Sequence, residues 1–245
     1  MDRHALAIVS ITGSSLDVLG SLYLAYDLLG GEHGPLRTLT RAVTYGLLFG
    51  IGYGVFLGPV FGLAGGAAHG VTLAWELSRA ARHGPKPGFW YDVAMSALRG
   101  GSYALGLSFL FGVRFGIAFG VLSTVGQVVA YRFGITPTLD YAPATRPGMT
   151  RRQFLAAVNR TVGYAFAGYI SAQVGNQHAR ALGFGLEAGL VIGAVTAIAN
   201  ALMPLVEWTA EHMPAKRMGV IGVGLIVTGF LLQSIQYWVT LLDAS

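Results

Sequence analysis

The chain has 245 residues, of which 53% are hydrophobic and only 11% charged, with a formal net charge of +5. Soluble domains carry about 25% charged residues, so a soluble globule of this size has too few charges to cover its surface. Cysteine is absent, which excludes disulfide scaffolds, thiolate metal sites, iron–sulfur clusters and cysteine nucleophiles.

With a mean hydropathy of +0.58, the composition is that of an all-α integral membrane protein. The sequence pI near 9.6 is common among nucleic-acid-binding domains. Here, however, the basic residues fall between apolar runs and not along one helix face. The positive-inside rule accounts for that placement, and no nucleic-acid partner is expected.

The first apolar run covers about residues 5–29, long enough to span a ~30 Å hydrocarbon core. It is too long for the apolar part of a cleaved signal peptide, so a retained helix is expected. Gly30-Gly31-Glu32-His33-Gly34-Pro35 supplies its stop signal.

A recurring unit follows. Arg41-Ala-Val-Thr-Tyr45, Arg99-Gly-Gly-Ser-Tyr103 and Arg160-Thr-Val-Gly-Tyr164 open three copies, over about 41–82, 99–134 and 160–208. Phe61-Gly62 and Phe119-Gly120 recur at matching offsets, and Phe184-Gly185 is displaced by one helical turn. A period of this length marks a repeated supersecondary unit. Each copy is too long for one spanning helix and has a break near its middle. These breaks are Gly58-Pro59, then Val113-Arg114-Phe115, then Gly175 to Arg180. A last apolar run covers about 218–242. The expected architecture is one membrane domain of eight segments: one helix, three glycine-rich helical hairpins in tandem repeat, and one helix.

Charge placement supports that path. Thirteen of the 16 Lys and Arg residues fall between units, Arg41, Arg99 and Arg160 among them, and three (Arg3, Arg114, Arg180) fall at the N-terminus or in hairpin turns. An eight-segment path puts the thirteen on one, cytoplasmic, face and leaves both termini outside, in a bacterial-type inner or plasma membrane.

Glycine occupies positions 46, 50, 54, 58, 62, 66 and 70 without a gap. Gly112, Gly116 and Gly120 continue the spacing in the second unit, preceded by Gly100, Ala104 and Ser108. Gly185, Gly189 and Gly193 do so in the third, opposite Gly163, Ala167, Ser171 and Gly175. Small residues four apart form a smooth helix face, which lets backbones approach closely where lipid offers no hydrophobic drive. Close packing of hairpin arms is expected at these glycines.

Ionisable groups within spans are costly and mark candidate solute pathways. Asp17, Glu187 and His69 fall inside apolar runs, and Gln173 and Asn176 add polar groups near the third break. Glu187 is expected to meet Gln173 or Asn176 across the hairpin. Asp27, Glu76, Glu207 and Glu211 are expected at solvated interfaces, and Trp75, Trp90 and Trp208 in aromatic belts.

The chain has no phosphate-binding loop, H-E-x-x-H motif or nucleophile elbow. Gly183-Phe-Gly185-Leu-Glu-Ala188 imitates a dinucleotide fingerprint without the strand that motif needs. The sequon at Asn159 falls on the expected cytoplasmic face. No enzymatic activity, metal or cofactor is expected. Three successive hairpins resemble mitochondrial carriers in outline, but the Pro-x-Asp/Glu-x-x-Lys/Arg repeat of that family is missing, so its function does not carry over. Two classes remain: a channel or small-solute transporter, and a non-catalytic structural or assembly subunit of a membrane complex. The lipid bilayer is the expected partner, with a second copy or a membrane-complex subunit as the protein partner.

Overall fold

The computed structural model describes residues 3–28, 36–83, 88–133, 148–212 and 215–243. Among them there are eight α-helices: α1 (Arg3–Leu28), α2 (Leu36–Leu57), α3 (Pro59–His83), α4 (Phe89–Phe111), α5 (Val113–Arg132), α6 (Arg151–Val174), α7 (Ala181–His212) and α8 (Ala215–Asp243). A 3₁₀ turn, His178–Arg180, precedes α7. The stop signal at 30–35 lies outside the described residues, as do the side chains of Asp27, Glu207 and Glu211.

Four of the eight helices contain a stretch long and apolar enough to cross a membrane: Thr38–Leu57, Val113–Arg132, His178–Leu205 and Gly219–Tyr237. The apolar part of α1, Val9–Ala25, is shorter. Helices α3, α4 and α6 carry Glu76, Arg79, Asp92, Arg99 and Arg160 along their lengths, and their glycines contribute little hydropathy.

The helices pack as antiparallel pairs, α2 with α3, α4 with α5 and α6 with α7. Two of the connections need one residue. Gly58 adopts φ +89° between Leu57 and Pro59, and Gly112 adopts φ +93° between Phe111 and Val113. An L side chain is strained at that φ, whereas glycine is not. The chain reverses there while the backbone hydrogen bonds of both flanking helices continue. The second break therefore falls at Gly112, and Val113, Arg114 and Phe115 form the first turn of α5. In the third pair Asn176 takes φ 60°. Arg41, Arg99 and Arg160 lie within α2, α4 and α6 and not at their starts.

The spaced glycines lie where the arms of a pair meet. A Cβ on Gly66 would stand 2.7 Å from the Gly46 carbonyl oxygen and 2.7 Å from Gly50 Cα, and one on Gly62 would stand 2.6 Å from the Gly50 oxygen. Gly54 and Gly70 flank this seam. Gly116 and Gly120 meet Ser108, Ala104 and Gly100 in the same way, and Gly185, Gly189 and Gly193 meet Ala165, Tyr169 and Thr161. Gly58 and Gly112 differ from the expectation, since a Cβ there would touch nothing within 4 Å. They are turn residues, not packing residues.

The pairs join in a ring, with α3 against α4, α5 against α6 and α7 against α2. Helices α1 and α8 form a fourth antiparallel pair outside it, attached through α1 and α2. Gly13 and Gly20 of α1 lie against Gly229 and Gly222 of α8. The outward faces carry Leu63, Phe109, Val162, Leu190, Val220 and Phe230, all exposed. Buried residues include Arg99, Glu76, His69 and several Ser and Thr. An apolar exterior around a partly charged interior suits a lipid environment.

Candidate functional site

An α-helix turns 100° per residue, so the residue before each seam glycine faces about a quarter-turn away from the seam. In α2 these residues are Tyr45, Phe49 and Tyr53, and in α3 they are Phe61, Gly65 and His69. In α4 they include Arg99, Tyr103 and Leu107, in α5 Phe115 and Phe119, and in α6 and α7 Tyr164 and Phe184. All of these are buried, and their side chains, which Gly65 lacks, point toward the middle of the ring. One face of each arm therefore packs on its partner, and the adjacent face fills the axis.

His69 is central, with 1% of its surface exposed. Its ring stacks on Phe49 at 4.0 Å between centroids, with 9° between planes. Nδ1 is 2.7 Å from the Gly65 carbonyl oxygen. A carbonyl only accepts, so Nδ1 carries the proton of the neutral ring. Nε2 then accepts from the Tyr103 hydroxyl at 3.3 Å, and Tyr103 accepts from the Tyr53 hydroxyl at 3.1 Å. Three further aromatic residues pack around this chain: Phe61 stacked on Tyr103, Tyr164 edge-on to Tyr103, and Phe119 stacked on Tyr164.

One turn away, Arg99 ties three helices together. Its Nη2 pairs with Glu76 Oε1 of α3 at 3.0 Å and its Nε donates to Thr72 Oγ1 at 2.9 Å. Its Nη1 donates to the Tyr131 hydroxyl of α5. Glu76 is therefore not a solvated interface residue, because Arg99 neutralises it inside the bundle. Arg99 is likewise no headgroup anchor, and Arg160 also lies within the bundle, where its Nη1 donates to Thr196 Oγ1 at 3.3 Å. Toward the single-residue turns the axis is closed by Phe111, Phe115, Phe119 and Phe184, with a void of about 10 Å³.

The residues expected along a pathway do not converge. Asp17 faces α8, where Gln233 Nε2 donates to its Oδ2. Glu187 is exposed on α7 and meets neither Gln173 nor Asn176. Gln173 bonds His178 beside the third turn, and Asn176 is exposed there. Of the five, His69 alone lies in the central file. Sequence reasoning missed Arg99, Glu76, Tyr53 and Tyr103 as interior polar groups. Tyr53, Arg99 and Tyr103 each stand just before a seam residue, and Glu76 lies one turn beyond Thr72; that spacing is the signal that identifies them. Among the described residues no three His, Asp or Glu side chains are placed to share a metal ion.

No protein-family model, curated protein or solved structure matches this chain.

Proposed function

We propose that this chain is a polytopic membrane protein of the channel or small-solute transporter class, working without enzymatic chemistry or a cofactor. In this reading the pairs α2–α3, α4–α5 and α6–α7 are three copies of one glycine-rich hairpin. All eight helices cross a bacterial-type inner or plasma membrane, with both termini outside.

The observation that carries the reading is the Arg99–Glu76 ion pair beside the Tyr53–Tyr103–His69 chain, inside an apolar shell. A buried ion pair is at best near break-even against apolar residues of the same volume, so static packing alone does not call for it. Ionisable groups inside membrane bundles mark solute and proton routes by default. In the described state aromatic rings close the axis. Passage therefore requires neighbouring hairpins to part, along contacts less extensive than those within a pair.

The packed axis also favours a second reading, a structural subunit of a membrane complex, because a dry aromatic core is what assembly alone needs. Reconstituted vesicles separate the two. The purified chain is screened with proton, monovalent-cation and small-anion probes. Transport predicts flux above protein-free vesicles that falls in a folded Glu76→Gln variant. The structural reading predicts no flux with any probe and partner subunits that co-purify.

A further inference from the structure

Helices α5 and α6 enclose a second cavity of about 210 Å³, set to one side of the aromatic axis. Ser123, Gln127 and Tyr131 line it from α5, four residues apart and hence on one face. Asn159, Arg160 and Tyr164 line it from α6.

Two buried atoms here lack hydrogen-bond partners, and the half-buried Arg160 uses few of its donors. Ser123 is 4% exposed, and its hydroxyl has no hydrogen-bond partner. Gln127 Nε2 donates to the Tyr164 hydroxyl at 2.9 Å, but its buried Oε1 has no partner. Arg160 offers five N–H donors, and among the described residues its one acceptor is Thr196 Oγ1. No carboxylate among the described residues pairs with it, since Glu76 is held by Arg99 and Asp92 by Arg132. A guanidinium without a counter-ion in a membrane bundle is costly, and a pair of oxygens on a carboxylate or phosphate matches its donor fork.

Gly126 and Gly163 line the cavity and are both exposed, which puts an opening on their side. A Cβ on either would meet nothing within 4 Å. These glycines therefore serve no seam, and small residues there leave the opening clear.

We propose that the α5–α6 cavity binds a small oxyanion group, carboxylate or phosphate, held by Arg160 with the Ser123 hydroxyl as a second donor; Gln127 Oε1, an acceptor, takes no part in holding the anion. This deepens the transport reading by naming a solute class. Binding is read in detergent, where no flux exists, so loss of binding and loss of flux are separate results.

The same group can arrive on a free solute or on a lipid headgroup, and the experiment has an arm for each. Detergent-purified protein is titrated calorimetrically with inorganic phosphate and with acetate, ionic strength being held constant with chloride. Delipidated protein is titrated in parallel with phosphatidylglycerol in mixed micelles, against diacylglycerol as the phosphate-free control. The expected result is saturable binding in at least one arm, weakened about tenfold or more in Arg160→Gln and in Gly126→Leu. The second variant blocks the mouth and leaves every polar group in place. Exposed Arg114, at the start of α5, is the control, and Arg114→Gln should bind as the unmodified chain does. Binding of phosphate or acetate identifies a solute site, and binding of phosphatidylglycerol alone identifies a headgroup site. No saturable binding in either arm, or equal binding by folded Gly126→Leu, overturns the proposal.

Discussion

Replacing a seam glycine with alanine adds one methyl group at a place where the structure has no room. At Gly66 the new Cβ would stand 2.7 Å from the Gly46 oxygen, against the 3.4 Å at which ordinary contact begins. The arms must separate locally by the difference, 3.4 − 2.7 = 0.7 Å. A gap of about 0.5–1 Å forfeits roughly a quarter to a half of the dispersion attraction at each affected contact. Overpacked substitutions of this kind cost about 1–3 kcal/mol. Alanine also favours a helix over glycine by about 1 kcal/mol, which offsets part of the loss. That offset cancels when seam glycines are compared with open ones such as Gly101, Gly126 and Gly163, where a Cβ meets nothing. Gly62→Ala and Gly66→Ala should therefore be less stable than Gly101→Ala and Gly163→Ala by about 1–3 kcal/mol. Unfolding of the purified variants by SDS in mixed micelles reads this directly from transition midpoints. Equal midpoints for the two sets would refute backbone-on-backbone packing. Gly62→Leu and Gly120→Leu should lose folded protein altogether, whereas Val60→Leu, on an exposed position, should not.

Other consequences follow from the interior and from the outer pair. Glu76→Gln leaves the Arg99 charge without its counterpart and should cost about 3–5 kcal/mol in the same unfolding assay. Replacing the pair together, as Arg99→Met with Glu76→Leu, should recover most of that loss while abolishing flux. Gln233→Leu removes the donor to Asp17 and should destabilise the α1–α8 pair by about 1–2 kcal/mol, while Asp17→Asn keeps a hydrogen-bonding partner and should cost less. The chain has no native cysteine, so single cysteines introduced at positions 82 and 151 report topology. Both should label from the same side of the membrane, and labelling from opposite sides would overturn the orientation.

Much of the helix order was legible because apolar runs, proline and glycine act locally. Gly58-Pro59 marks its turn by chemistry that needs no tertiary context. The turn at Gly112 was harder to place, because Arg114 advertises polarity two residues on while the left-handed φ belongs to the glycine. The interior was legible only in part. Asp17 and Glu187 stand out as charges in apolar text, yet Asp17 bonds a helix from the other end of the chain, 216 residues away. Glu76 reads as an interface residue because Arg79 and Arg82 follow it, and Arg99 because it opens a long uncharged run at the start of a repeat. Only the ring brings Glu76 of α3 to Arg99 of α4, and hydropathy carries no record of that closure. The pairing of α1 with α8 was likewise hidden, since Gly13, Gly20, Gly222 and Gly229 gain meaning only once their helices are adjacent.

A reversible lock on the ring tests the account most directly. Position 52 of α2 and position 195 of α7 face each other where the last pair closes on the first, and a Cβ built on Gly52 lies 3.4 Å from Val195 Cβ. That is close to the separation of about 3.5–4.5 Å that a disulfide spans. The variant combining Gly52→Cys and Val195→Cys is reconstituted, and flux is measured in the same vesicles after oxidation and again after reduction. The account predicts that the cross-link forms in full, lowers flux about tenfold, and releases it on reduction. Failure of the cross-link to form would contradict the closed ring, and flux unchanged by a complete cross-link would contradict movement of the hairpins as the route of passage.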